Sequence, residues 1–406
     1  MDTGSIAWAI TATALVLFMT PGVAFFYGGL VKAKSVVSMM MMSFGALGLV
    51  TVLWLLYGFN MSAVDGVWEF AGNPLSDFAL GSLATGESAN TDLIGVAFGA
   101  TFAIITVALI SGAIADRAKF GSWMIFAGIW ATLVYFPVAA WVWGGGWIMS
   151  LGETLGLPGV IDYAGGTAVH INAGAAALAL ALVLGKRVGF QKGMDKPHNV
   201  PLTLLGAAVL WFGWFGFNAG AEWLNGLANT GLIVLNTLGA TAAAILGWLV
   251  VEKVKDGKPT AVGAASGAVA GLVAITPACA NLEPGWALLL GVVAGALCAL
   301  AIELKFKLGF DDSLDVVGIH LVGGLIGTLY LGFFAIDTGL FTGGGLGQLA
   351  VQAIAAFAVL IYSFVIAWIL GFAIEKTIGF RVKNEDEIAG IDTVVHGHEG
   401  YALENV

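Results

Sequence analysis

Charge is scarce in this chain. Only 10% of its 406 residues are Asp, Glu, Lys or Arg, and 59% are hydrophobic. A water-soluble domain of this size needs a polar covering that such a composition cannot supply, so a soluble globular protein is excluded. No nucleic-acid partner is expected either, because 16 basic residues are set against 26 acidic ones and a nucleic-acid binder carries a basic footprint. The two cysteines, Cys279 and Cys298, cannot make a disulfide framework and read as packed free thiols. The N-terminus, MDTGSIAWAITATAL, lacks a basic leader, and its apolar run continues to Leu30. It reads as a first membrane helix rather than a cleaved signal peptide.

What the chain has in quantity is apolar length. Stretches of about 20 residues, each able to cross a bilayer as a helix, recur along it, and 59 glycines suit helices packed backbone to backbone. The expected fold is an all-α polytopic membrane protein. Eleven spans are placed near residues 6–31, 38–60, 93–115, 122–142, 163–184, 200–222, 227–251, 261–278, 285–303, 313–336 and 346–374.

The basic residues then set the expected topology. All 16 fall in alternate connections or the tail: Lys32 and Lys34; Arg117 and Lys119; Lys186, Arg187, Lys192 and Lys196; Lys253, Lys255 and Lys258; Lys305 and Lys307; Lys376, Arg381 and Lys383. The positive-inside rule makes that set cytoplasmic. With eleven spans the N-terminus is outside and the C-terminus inside. The opposite connections hold Asp65, Glu69, Asp77, Glu87, Asp92, Glu153, Asp162, Glu222, Glu283 and Asp337 and no base. An acidic outer surface concentrates cations, although exclusion of Lys and Arg from translocated loops explains the missing bases equally well.

One stretch stands apart. GGTAVHINAGAAALALAL, residues 165–182, places His170 inside an apolar span, and DVVGIHLVGGLIG places His320 at a similar depth in span ten. These are the only histidines within the spans. Spans five and ten run in opposite directions, so the two imidazoles can meet near the midplane. A five-plus-five inverted repeat with one extra span produces this arrangement. An ionisable group at membrane depth is costly and reads as functional; a lone histidine hydrogen-bonded in the bundle is the plainer account, and two at matched positions weaken it. Two such imidazoles could pass a small polar species or relay a proton. They could instead bind a metal or ligate haem.

Aromatic residues gather toward the outer side. Phe98 and Phe102 lie one turn apart, WFGWFGFNAG carries Trp211, Trp214, Phe215 and Phe217, and WVWGGGWI carries Trp141, Trp143 and Trp147. For most of these rings an interfacial belt suffices. Trp143 differs because three glycines follow it and leave its ring face open, and ring faces attract small cations. Asp162, Asp311, Asp312 and Asp315 stand before spans five and ten and read as helix caps. Asp315 precedes His320 by five residues, about 140° around a helix, and is not expected to touch it.

At this point the chain closely resembles the ammonium transporter (Amt/Mep/Rh) family, in its bacterial Amt branch. The resemblance rests on PGVAFFYGGLVKAKSV, ITVALISGAIADR, WGGGWI, DYAGGTAVHINAG, GWFGFNAG, KPTAVGAASGAVAGLVAITPACA, DVVGIHLVGGLIGTL and GFRVKNEDEIAGIDTVVHGHEGYA. It implies a homotrimer in the cell membrane with one pore per subunit, and no enzymatic activity or cofactor. It implies that ammonium is recruited against Trp143 and Phe102, and that Phe102 and Phe217 form a stacked gate. Asp162 would shape that entrance. His170 and His320 would line the pore, with Trp214 beside them and Ser266 lower down. Ala221 stands where many relatives have a serine that helps hold the outer ion, and Gly99 where some have glutamine. Residues 1–376 would be the conducting domain. Residues 377–406 would be a cytoplasmic regulatory tail, packed under the trimer and answering to a PII-type signalling protein; read from its residues alone, the tail is a charged, acidic segment. The substrate implied is ammonium or ammonia, with methylammonium as an analogue. An ammonium sensor of the same fold is the alternative, and it would be expected to carry a signalling domain beyond residue 406. A bis-histidine haem or metal membrane protein is the third.

Overall fold

Helices account for the apolar runs because a backbone in hydrocarbon must satisfy its own hydrogen bonds. The computed structural model describes residues 2–66, 69–191 and 196–401. Lys192 of the basic set and residues 402–406 of the tail lie outside the described residues. Among the described residues, ten helices are long and apolar enough to cross a membrane: α1 (Thr3–Leu30), α2 (Ala33–Met61), α3 (Ala89–Ile114), α4 (Phe120–Val142), α5 (Gly166–Leu184), α6 (Val200–Asn225), α7 (Thr230–Lys255), α9 (Pro284–Leu308), α10 (Val317–Phe334) and α11 (Gly347–Thr377). The eighth expected segment holds α8 (Ala261–Ile275), which is apolar but shorter. Its end lies at Pro277, which has no N–H to continue the helical ladder. No strand forms among the described residues.

Small residues set which helices touch. A Cβ placed on Gly206 of α6 would lie 2.2 Å from the Phe26 nitrogen of α1, and one on Gly291 of α9 would lie 2.2 Å from the Ala240 carbonyl of α7. Only glycine permits backbones this close. The contact that matters most joins α5 to α10. A Cβ on Gly174 would meet the Leu321 nitrogen at 2.5 Å, and one on Gly324 would meet the Gly166 carbonyl at 3.1 Å and the His170 Cβ at 3.2 Å.

Helices α5 and α10 begin later than their hydropathy suggests, at Gly166 and Val317 rather than 163 and 313. Aspartates terminate each start. Asp162 accepts from the backbone N–H groups of Gly165, Gly166, Thr167 and Ala168 at 2.6–3.0 Å. Asp312 accepts from Val317 N at 2.7 Å. The capping reading of Asp162 and Asp312 therefore holds. That of Asp311 and Asp315 does not, because each faces a base from another element. Asp311 pairs with Arg187 at 2.9 Å and Asp315 with Lys305 at 2.6 Å. Asp315 turns away from His320, as expected.

The tail is built against the bundle. Its short helices, α12 (Asn384–Ala389) and α13 (Ile391–His396), follow α11. Glu387 takes Val188 N at 2.6 Å and the Arg381 guanidinium at 2.6 Å, and Arg381 donates to the Leu184 carbonyl at the end of α5. Asp392 accepts from Val37 N and Ser38 N and so caps α2. An acidic residue suits a helix N-terminus, where unpaired N–H groups carry partial positive charge.

Candidate functional site

Both histidines sit in the first turn of their helices, and in both that turn is π-helical: Gly166–Ile171 on α5 and Val317–Leu321 on α10. The wider turn inserts one residue and rotates the side chains that follow. On α5 it begins at Gly165, whose φ of +119° favours glycine, and His170 N bonds to the Gly165 carbonyl five residues back at 2.9 Å. The effect is to bring the imidazoles together. His170 Nδ1 and His320 Nδ1 lie 3.2 Å apart, and the rings stack at 23° with centroids 5.3 Å apart. Both residues are buried.

A contact between two Nδ1 atoms can be a hydrogen bond only if one donates and the other accepts. If both rings are neutral, one Nε2 then accepts and the other carries a proton. The pair therefore offers one donor and one acceptor to whatever lies beside it. His170 Nε2 is buried and has no protein partner. The Nδ1 spacing is within hydrogen-bond reach, and among the described residues no third His, Cys, Asp or Glu joins the pair to complete a metal site.

The pair lines a narrow apolar cavity with Tyr27, Trp214, Phe217 and Val269. Trp214 stacks on His170 at 17° and 5.5 Å, and its indole N–H donates to Thr276 Oγ1 at 2.8 Å. Ser266 is not brought into this cavity. It is buried on α8, and Val269, three residues on, lines the wall instead.

Next to the histidines lie the two phenylalanines expected to form a gate. Phe102 and Phe217 stack at 17° with centroids 4.2 Å apart, and Phe217 is tilted 37° to His170 at 6.2 Å. Trp143 stands edge-on to Phe102 at 6.1 Å and 87°. Its indole N–H donates to the Asp162 carbonyl at 2.8 Å. The N–H is thus occupied, and what Trp143 can offer a ligand is its ring face. Asp162 joins the site without facing it: its carboxylate caps α5 and its carbonyl fixes Trp143. Burial pushes this carboxyl up, while the four N–H groups oppose that shift.

Phe98 belongs here too, 5.0 Å from Phe102 and packed on Gly220. The signal in the sequence is its four-residue spacing from Phe102. Ala221 follows Gly220 at the rim, half-buried, with a methyl group and no hydrogen-bonding atom in its side chain. Gly99 faces Trp54 instead, where a Cβ would stand 2.8 Å from the indole. Trp54 thus fills the space that a longer side chain at 99 would need. Of the other tryptophans, Trp141 donates to the Phe70 carbonyl at 2.8 Å and packs on Trp147, away from the cavity.

Comparison with known proteins agrees with this geometry. The family described as Ammonium Transporter Family matches residues 7–401. The ammonium transporter of Mycobacterium tuberculosis (strain ATCC 25618 / H37Rv) is 53% identical, over 98% of this chain and 90% of its own. Among solved structures, Mep2 of Candida albicans superposes with a TM-score of 0.84 at 32% identity, over 95% of this chain and 88% of that one. A structure described as a sensor Amt protein superposes with a TM-score of 0.87 at 28% identity, over 97% and 98%.

Proposed function

The chain belongs to the ammonium transporter family, and from that premise we propose that it recruits ammonium at an outer aromatic site, deprotonates it and conducts ammonia past two histidines into the cytoplasm. It is a multi-pass membrane protein. The reading takes α8 as a span, so that eleven helices cross the cell membrane with the N-terminus outside and the C-terminus inside. The basic residues at the ends of α7 and α9 and the acidic opposite connections support that orientation. Helices α1–α5 and α6–α10 are the two inverted halves, and α11 is the extra helix. The matched first turns of α5 and α10 support this.

Each part of the site then has a task. Trp143, Phe102 and Phe98 face the cation and replace part of its water. Asp162 holds that mouth in shape, and Ala221 leaves the rings to do most of the holding. The stacked pair Phe102 and Phe217 closes the path to hydrated ions. Beyond it the apolar cavity disfavours a bare cation by several kcal/mol. Neutral ammonia, which can both donate and accept, matches the donor and acceptor that His170 and His320 present. Trp214 keeps the His170 ring in plane. Ser266 would meet the substrate only below the cavity. Potassium cannot shed a proton and is refused. Residues 1–376 form the conducting domain. Residues 377–406 form the cytoplasmic tail, which would answer to a PII-type protein beneath a homotrimer.

The observation that carries the reading is the histidine pair at hydrogen-bond distance, lining an apolar cavity directly beneath a stacked phenylalanine gate. The test is the current on a solid-supported membrane from purified protein in liposomes, after an ammonium jump with a potassium control. An ammonium-specific current supports transport with its proton. Internal alkalinisation without current supports a neutral ammonia channel. Neither signal would favour the sensor reading, for which the likeness to the sensor Amt protein is the specific support.

A further inference from the structure

Glu222 is a buried carboxylate that the transport path does not use. It follows Ala221 directly on α6 and is fully buried. Its partners are neutral donors. The Tyr163 hydroxyl donates to Oε1 in a short hydrogen bond, Asn225 Nδ2 approaches Oε1 at 3.4 Å, and Asn229 N donates to Oε2 at 2.7 Å. No ion pair compensates it among the described residues, and the outer connections contain no Lys or Arg to supply one. A buried charge without a counter-ion is costly and is normally paired. Hydrogen bonds from neutral donors hold it in place and add no counter-charge.

Two chains of contact connect Glu222 to the outer aromatic site. Tyr163, which binds Glu222, is the residue after Asp162, and Asp162 anchors Trp143. Gly220, two residues before Glu222, is the packing surface for Phe98, which leans on Phe102. Low-polarity surroundings carry a charge's influence farther than water does. We propose that Glu222 is an affinity-determining residue of the recruitment site: its unpaired charge stabilises a cation held between Trp143 and Phe102 at a mouth where Ala221 gives no hydrogen bond. The ligand class is a small monovalent cation that has lost part of its water. The inference rests on the recruitment reading above and adds the counter-charge to it.

The experiment is the ammonium-jump current measured as a function of ammonium concentration in wild type, Glu222→Gln and Asn225→Lys. Glutamine keeps the shape and removes the charge. Lysine at exposed position 225 exchanges the long Asn225 contact for a cation against the carboxylate and leaves Trp143, Phe102 and Phe98 unchanged. Both variants are expected to raise the half-saturating ammonium concentration about three- to tenfold with the maximal current retained. A purely structural role would instead lower maximal current and thermal stability in Glu222→Gln and leave Asn225→Lys like wild type. An unchanged half-saturating concentration in Asn225→Lys, with or without folding of Glu222→Gln, overturns the inference. A wild type without ammonium-specific current or alkalinisation overturns the transport reading instead, so the two failures are distinguishable.

Discussion

His170 and His320 approach through like atoms, Nδ1 to Nδ1 at 3.2 Å, from helices whose first turns are both π-helical. The arrangement is self-consistent only while one ring donates and the other accepts. A proton delivered to the outer Nε2 can therefore be matched by release from the inner one, with the shared proton changing owner between them. This couples the two rings into one element.

Removing either ring breaks that element. His170→Ala or His320→Ala should lower the ammonium-specific current by at least about a hundredfold, within the range of a positioned proton-transfer group. Leaving the partner's buried Nδ1 unpaired should also cost about 1–3 kcal/mol of stability. Current and thermal melting in detergent check both effects. A single mutant with wild-type current would sink the relay and leave the histidines as packing.

Trp143 offers only its ring face, because its indole N–H is committed to the Asp162 carbonyl. Trp143→Leu removes the quadrupole and keeps an apolar side chain. A cation–π contact worth about 0.5–2 kcal/mol corresponds to a rise in half-saturating ammonium of about 2- to 30-fold. Titration of the current reads it directly, and no rise would mean that the ring serves only as interfacial packing.

These expectations depend on different levels of the structure, and not all were readable in the chain. The histidine pair was legible because hydropathy and charge alternation fixed the direction of spans five and ten. The matched offset was also present, with Asp162 and Asp312 each eight positions before a histidine. The π turns were not legible: the one on α5 follows the four backbone N–H groups that Asp162 collects, and no local pattern in the sequence marks that arrangement. The pairing of Arg187 with Asp311 joins residues 124 apart, and local capping rules had misassigned Asp311 for that reason. Ser266, expected lower in the pore, does not line this cavity, whereas Val269 on the same helix does.

Asp312 titrates in a useful range. Burial pushes its carboxyl up to about 6, against the nearby Lys305 charge. A folded value raised above the ordinary 3.8 means that folding favours the protonated form. Its contribution is fully present below about 3.8 and is lost as pH rises through about 6, a difference of about 3 kcal/mol. Asp312→Asn keeps an oxygen for Val317 N and cannot ionise. Relative to wild type, the variant should gain melting temperature between pH 4.5 and 7.5. Parallel melting curves across that window would show that Asp312 is not buried as an acid.

The closest test of the geometry is a methyl group. A Cβ on Gly324 would stand 3.0 Å from Ile171 Cγ1, 3.1 Å from the Gly166 carbonyl and 3.2 Å from His170 Cβ. Each contact is tight, and a displacement of a few tenths of an ångström relieves it. A Cβ on Gly174 would instead meet the Leu321 backbone nitrogen at 2.5 Å, which only separation of the helices can relieve. Gly174→Ala should therefore cost folding, at the level of overpacking, about 1–3 kcal/mol or more. Gly324→Ala should melt near wild type and still lose current. Its displacement falls on His170, whose Nδ1 contact at 3.2 Å is already at the long end for a hydrogen bond. A few tenths more would uncouple the rings while the bundle stays packed. If Gly324→Ala conducts normally, the coupling tolerates a longer separation and the shared-proton account of the pair fails; if it neither folds nor conducts, the α5–α10 contact has no slack and its role is structural.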